Sequence, residues 1–260
     1  MDLHKIKELM VKLMQDRYQH PDRGLGDAFL HCERVAKLAV DLRKHILPND
    51  DSRDEILTVA GWFHDIGKGS PEHARFGAVM AREVLHDFCS SNELDEICEI
   101  IRLHADRGHS EYSPWVKLHQ DADVLDHHGT YFIWYVFSHR SWRHEGDIAK
   151  IAKEQLEVYN YKAKILESVN YDFSRSICAE KFDYQNAFWE RLKIEASRGI
   201  PCQAVLVGGL PFELKQPRFN TETEAAIREA RDIRVGKVQS KIYHSVAEMN
   251  ADLDADPDEE

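Results

Sequence analysis

Helical periodicity constrains this chain more than any other feature. Leu3, Ile6, Leu9, Met10, Leu13 and Met14 recur at helical spacing, and Leu30, Val35, Leu38, Ala39 and Leu42 repeat the pattern over residues 28–47. Both stripes are those of helices that bury one face. Ser52 with Glu55 three residues later reads as a capping box, and Ile56, Val59, Ala60 and Phe63 then carry an apolar stripe until Gly67 stops it. Ser70 followed by Pro71 reads as the N-cap and first-turn proline of a helix through Leu85. Another helix is expected from Leu94 to His104, and two long helical segments over 147–170 and 173–197. The expected fold class is all-α.

The composition shifts near residue 199. RGIPCQAVLVGGLPFELKQPRFN holds three of the eight prolines and three of the thirteen glycines, so residues 199–217 read as a linker or boundary. Beyond it, Thr221 with Glu224 and Ser245 with Glu248 are capping-box patterns. The expected organisation is a helical unit over 1–198, the linker, and a helical appendage with an acidic end over 218–260.

The formal charge is −12, and six acids crowd the last ten positions, so the rest of the chain carries about −6. That balance disfavours a nucleic-acid coat, which needs a positive surface against the phosphates. The apolar run Tyr131 to Phe137 is far shorter than the roughly 20 residues of a membrane span, and MDLHKIKELM lacks an apolar signal core. A cytoplasmic protein is expected. Its five cysteines, odd in number and never in C-x-x-C spacing, read as reduced thiols.

Twelve of the fifteen histidines fall between His31 and His144, which points toward metal or proton chemistry. His64 and Asp65 stand side by side in AGWFHDIGK, His31 lies 33 residues upstream in HCERVAKLA, and Asp123 lies 58 residues after Asp65 in DADVLDHHG. Imidazole and carboxylate together suit borderline and moderately hard divalent metals, with positions left for water. A second His-Asp pair, His86 and Asp87, has none of these neighbours.

In order and spacing, His31, His64-Asp65 and Asp123 resemble the pattern of the HD-domain metal-dependent phosphohydrolase superfamily, over roughly residues 26 to 195. The segment YNYKAKILESVNYDFSRSICAEKFDYQNAFWERLKIE is similar to the paired C-terminal helices of its bacterial nucleotide-hydrolysing branch. The resemblance implies an all-helical HD-domain bundle that hydrolyses a phosphate ester or anhydride in a small phosphorylated compound, a nucleotide first. His31, His64, Asp65 and Asp123 would ligate Mn, Fe, Mg, Co or Ni, as one or two ions, with Asp123 preferred over Asp121 as the middle acid of a D-x-D-x-x-D run. His73 and His104 resemble the additional histidines of binuclear members; they would complete a second metal site, meet phosphate, or be ordinary surface residues. A mixed-valent di-iron oxygenase on the same fold is the alternative chemistry.

Among the remaining candidates, Lys68 and Arg34 would supply positive charge to a phosphate, with His104 beside them. Asp126, one helical turn from Asp123, would orient a ligand or a water. The run YFIWYVFSHRSWRHE offers aromatic rings to stack a base, with Arg140 or Arg143 for phosphate, or simply core. His109, His127 and His128 read as bystanders. FNTETEAAIREARDIRVGKVQSKIYHSVAEMNADLDAD resembles the C-terminal half of bacterial antitoxins of toxin-antitoxin modules, which implies a protein partner or self-association through residues 218–255. A pure interaction module is the third functional reading.

Overall fold

The computed structural model describes residues 1–16, 27–143, 146–158 and 161–198, with Asp232 and Lys237 beyond them. The chain falls into two compact units, Met1–Pro201 and Cys202–Glu260. The expected linker over 199–217 and, apart from those two positions, the expected appendage over 218–260 lie outside the described residues.

Ten α-helices and no strand occur among the described residues: α1 (Leu3–Met14), α2 (Asp27–Ile46), α3 (Asp54–Phe63), α4 (His73–Leu85), α5 (Ser91–Leu103), α6 (Pro114–Asp126), α7 (Thr130–Trp142), α8 (Ile148–Val158), α9 (Lys162–Glu167) and α10 (Asp172–Arg198). No helix is long and apolar enough to cross a membrane among the described residues. Cys32, Cys89, Cys98 and Cys178 are free thiols.

Two apolar cores organise the unit. The larger one takes Ile6, Met10 and Met14 from α1, Val35 and Ala39 from α2, Leu57 and Phe63 from α3, Ile97 and Ile101 from α5, and Leu118 and Leu125 from α6. Burying each large side chain of this set contributes about 1.5–3 kcal/mol. The smaller core joins Ile133 and Val136 of α7, Ile151 and Ala152 of α8, and Trp189 of α10. Helix α10 serves both, with Cys178 and Phe182 in the first and Trp189 in the second.

Three local expectations need correction. Ser52 does not cap α3: its hydroxyl donates to Asp50 Oδ1 at 2.6 Å, and the helix begins at Asp54 after Arg53, which makes no side-chain cap bond. The nearby carboxylate outcompetes the helix end for the hydroxyl. Ser70 and Pro71 likewise precede the helix, which starts at His73, because the chain is still turning through Gly69 at φ 101°. The capping box forms instead at Ser90 and Glu93, ahead of α5. Finally, the segment expected over 147–170 is two helices. Ile151 and Ala152 of α8 enter the smaller core, whereas Ile165 and Leu166 of α9 pack on the larger one, so a single straight helix cannot serve both.

Candidate metal centre

The centre lies where α2, α3 and α6 converge. His31 projects from α2, Asp123 from α6, and His64 with Asp65 from the C-terminal end of α3, where His64 is the cap residue. A β-carbon at Gly61 would stand 2.4 Å from Ala36 Cα, so only glycine lets α3 approach α2 this closely. That contact brings the two histidines together.

Their tautomers follow from their partners. His64 Nδ1 donates to the Gly61 carbonyl at 2.9 Å, and His31 Nδ1 donates to Asp126 Oδ2 at 2.7 Å. With Nδ1 so engaged, each ring turns its Nε2 inward, and the two Nε2 atoms face each other at 3.2 Å. Asp123 Oδ1 lies 3.3 Å from His31 Nε2 and 3.8 Å from that of His64. Asp65 Oδ2 lies 3.9 and 3.8 Å from the same two nitrogens. Imidazole nitrogens and carboxylate oxygens face one another here, a donor set that suits a divalent cation.

A second group sits on the other side of Asp65. A β-carbon at Gly67 would come within 2.2 Å of the His73 carbonyl and 2.6 Å of Gly77 N, so the turn after Asp65 packs directly on the start of α4. His73 opens that helix, and His104 caps the end of α5. His104 Nδ1 donates to the Ile101 carbonyl at 2.7 Å, leaving its Nε2 3.2 Å from His73 Nε2. Asp65 Oδ1 lies 3.9 Å from His73 Nε2 and 3.8 Å from His104 Nε2. The two oxygens of Asp65 thus face different histidine pairs. His31, His64 and Asp65 on one side and Asp65, His73 and His104 on the other have the composition and spacing to hold a divalent metal, as do His31, Asp123 and His127.

Charge is concentrated and braced around these groups. Burial opposes ionisation of Asp65, yet His64, Lys68 and His31 hold it ionised well below the usual carboxylate range. Asp123 is also held low against its burial, by His127 and His31. His64 is pushed down to about 4 by burial. His31 is raised to about 9, because hydrogen bonds to Asp123 and Asp126 outweigh its burial. Without a metal, a proton is the cation that this acidic cluster retains.

The other expected residues occupy defined places. Asp126 accepts from His31 and also from Arg34, whose Nε and Nη2 reach its two oxygens at 2.8 and 2.9 Å. Arg34 also lies over the Tyr131 ring, 4.0 Å from its centroid. Lys68 Nζ is 3.2 Å from Asp65. Arg34 and Lys68, expected to face phosphate, are therefore both engaged with carboxylates of the centre. Asp121 is used elsewhere: it accepts from the backbone of Asn170 and Tyr171, tying α6 to the start of α10. Arg140 pairs with Glu154 of α8.

Sequence reasoning missed three neighbours. His127 Nδ1 donates to the Asp123 carbonyl at 2.8 Å, and its ring meets that of His31 edge-on at 4.6 Å, so it is no bystander. Arg107 Nη2 donates to Asp123 Oδ2 at 2.5 Å from a loop with no motif to mark it. His119 is fully buried with neither ring nitrogen hydrogen-bonded, 5.1 Å from His64 ring to ring. His109 does stay outside, at the surface with Asp106 and Glu111.

Comparison with known proteins places this geometry. Residues 28–127 match the family model of the HD domain. No curated protein matches the chain. Among solved structures, the chain resembles a predicted HD superfamily hydrolase from an uncultured Thermotogales bacterium at 21 % identity and TM-score 0.53, covering 74 % of this chain and 92 % of that one. It also resembles Bacillus subtilis YpgQ in complex with ADP, at 19 % identity and TM-score 0.51, with 73 % and 97 % covered. The matched segment contains His31, His64, Asp65 and Asp123 together with His73 and His104. The segment that matches the HD-domain model spans α2 to α6, the helices that converge on Asp65.

Proposed function

We propose that this chain is a metal-dependent phosphohydrolase whose substrate is a small phosphorylated compound, a nucleotide first. The observation that carries the reading is the approach of the His31 and His64 Nε2 atoms, 3.2 Å apart with Asp65 and Asp123 carboxylate oxygens 3.3–3.9 Å away. Two imidazole nitrogens this close among carboxylates draw a cation, and a metal would take the place of the proton that His31 otherwise keeps. The fold likeness to YpgQ, solved with ADP, supports a phosphorylated ligand.

His31, His64, Asp65 and Asp123 would hold the first ion, and Asp65, His73 and His104 a second. Bound there, a divalent metal lowers the pKa of a coordinated water and polarises a phosphoryl oxygen. The chain's own residues prepare the site. Asp126 keeps the His31 proton on Nδ1, and Arg34 keeps Asp126 in place. Lys68 and Arg107 offset the carboxylate charge that a phosphate would otherwise meet, and His104 lies on the open side of Asp65.

Elemental analysis of gently purified protein and a phosphate-release screen over nucleotides test the reading. One or two divalent ions per chain with phosphate release is the expected result. The histidine pair beyond Asp65 also suits the di-iron oxygenase alternative. Bound iron with oxygen consumption and no phosphate release would replace the hydrolase by that oxygenase.

A further inference from the structure

The aromatic run at the start of α7 is not simply core. Ile133 and Val136 turn into the smaller core, whereas Tyr131, Tyr135 and Phe132, which also packs on that core, line a cavity of about 240 Å³ with His31, His127 and His128. His31 is thus a wall shared between this cavity and the metal centre. Among the described residues, no carboxylate, lysine or arginine lines it.

Its walls are held by contacts behind them. The Tyr131 hydroxyl donates to Asp27, one face of its ring carries Arg34, and Trp134 stacks on it at the surface, ring centroids 5.9 Å apart. His128 lies against Phe182 at 4.3 Å, and its Nδ1 is buried with no hydrogen-bond partner. An apolar cavity with a polar edge is the usual character of a small-molecule subsite. The volume is below the roughly 300–1,000 Å³ of sites that hold a whole drug-sized ligand. It suits one planar ring system, with the rest of the molecule outside.

We propose that this cavity receives the planar ring of the substrate whose phosphate reaches the metal centre past His31, and that Phe132 and Tyr135 set specificity for that ring. The proposal rests on the phosphohydrolase reading for the phosphate and on the cavity alone for the ring. Every base has an apolar face, so stacking here selects for the presence of a ring rather than for its edge pattern.

The test compares adenosine 5′-monophosphate and uridine 5′-monophosphate with ribose 5-phosphate, which keeps sugar and phosphate and lacks the ring. Binding of each to the metal-loaded full chain is measured by titration calorimetry, beside phosphate release. Wild-type protein is expected to bind the ring-bearing compounds at least about tenfold more tightly, the scale of one stacked base. Phe132→Ala and Tyr135→Leu are expected to collapse that ratio, and Phe132→Leu, which keeps more of the packing volume, to reduce it partway. Circular dichroism and metal content identify any variant that has lost its fold. Equal affinity of wild type for all three compounds overturns the proposal, as does a uniform loss for all three in folded variants. If ring preference is present and depends on Phe132 but no phosphate is released from any nucleotide, the hydrolase reading falls and the ring subsite stands.

Discussion

On one side of Asp65, His31 and His64 are almost completely shielded from solvent, and their Nδ1 atoms are tied to a carboxylate and a backbone carbonyl. On the other, His104 is equally buried, but His73 is a quarter exposed at the open end of α4. The first side also has Asp123 and the Asp126–Arg34 brace. The second has no such carboxylate behind its histidines, only the Ile101 carbonyl behind His104. Residues of the same types are therefore built into a braced, enclosed site and a more open one, joined by one carboxylate. Outer partners of metal-binding histidines fix their orientation and raise their basicity, so the enclosed side should bind first and release last.

Replacing the shared group is the severest way to break this comparison. Asp65→Ala should abolish metal binding on both sides, whereas His64→Ala or Asp123→Ala should empty the enclosed side. Elemental analysis on variants whose circular dichroism matches wild type measures this; full stoichiometry in any of the three would remove that residue from the ligand set. The next effect separates the sides. His73→Ala combined with His104→Ala should lower two ions per chain to one and leave the enclosed site occupied. A wild-type count of one ion would end both the binuclear and the oxygenase readings.

A smaller change sharpens the role of the brace. Asp126→Asn keeps shape but weakens the charge that orients His31, and should cost about 10–100-fold in affinity at the enclosed site. Competition with a chelator measures it, and an unchanged affinity would make the Arg34–Asp126 pair merely structural. The smallest effect concerns His128, which stands outside both sides. Burial holds its pKa down to about 4, below the ordinary value of 6.5. Between those values the unfolded chain takes up a proton that the folded chain refuses, so stability falls as pH drops from about 6.5 to about 4. His128→Phe keeps a ring against Phe182 and should remove up to about 1.4 kcal/mol per pH unit of that slope. Urea unfolding at pH 7 and pH 5 reads the difference; an identical slope in the variant would mean that His128 is solvated.

The resemblance of the order and spacing to the HD pattern pointed to His31, His64, Asp65 and Asp123, and the helices bring these four side chains within reach of one another. Apolar spacing was enough for the all-α class, since a helix that buries one face writes a period of three to four into its residues. It placed His73 and His104 at the facing ends of two helices, as a hairpin that would bring both imidazoles toward Asp65, but not the close packing of the turn after Asp65. That depends on Gly67, whose missing β-carbon lets the turn rest on α4.

Other features belong to the tertiary structure alone. Ser52 and Ser70 carry good capping patterns and cap nothing, because Asp50 and the Gly69 turn compete locally for the same backbone. Arg107 reaches Asp123 only because the loop after α5 folds onto the centre, and His127, one turn from Asp123 at the end of α6, meets His31 only because α6 packs on α2. The run from Tyr131 to Phe137 shows the limit most plainly. Its letters make it aromatic and apolar, but which rings enter the core and which line a cavity beside His31 depends on where α7 meets α8 and α10. A helix period reports that a face is buried; only the packing of neighbouring helices decides what that face is buried against.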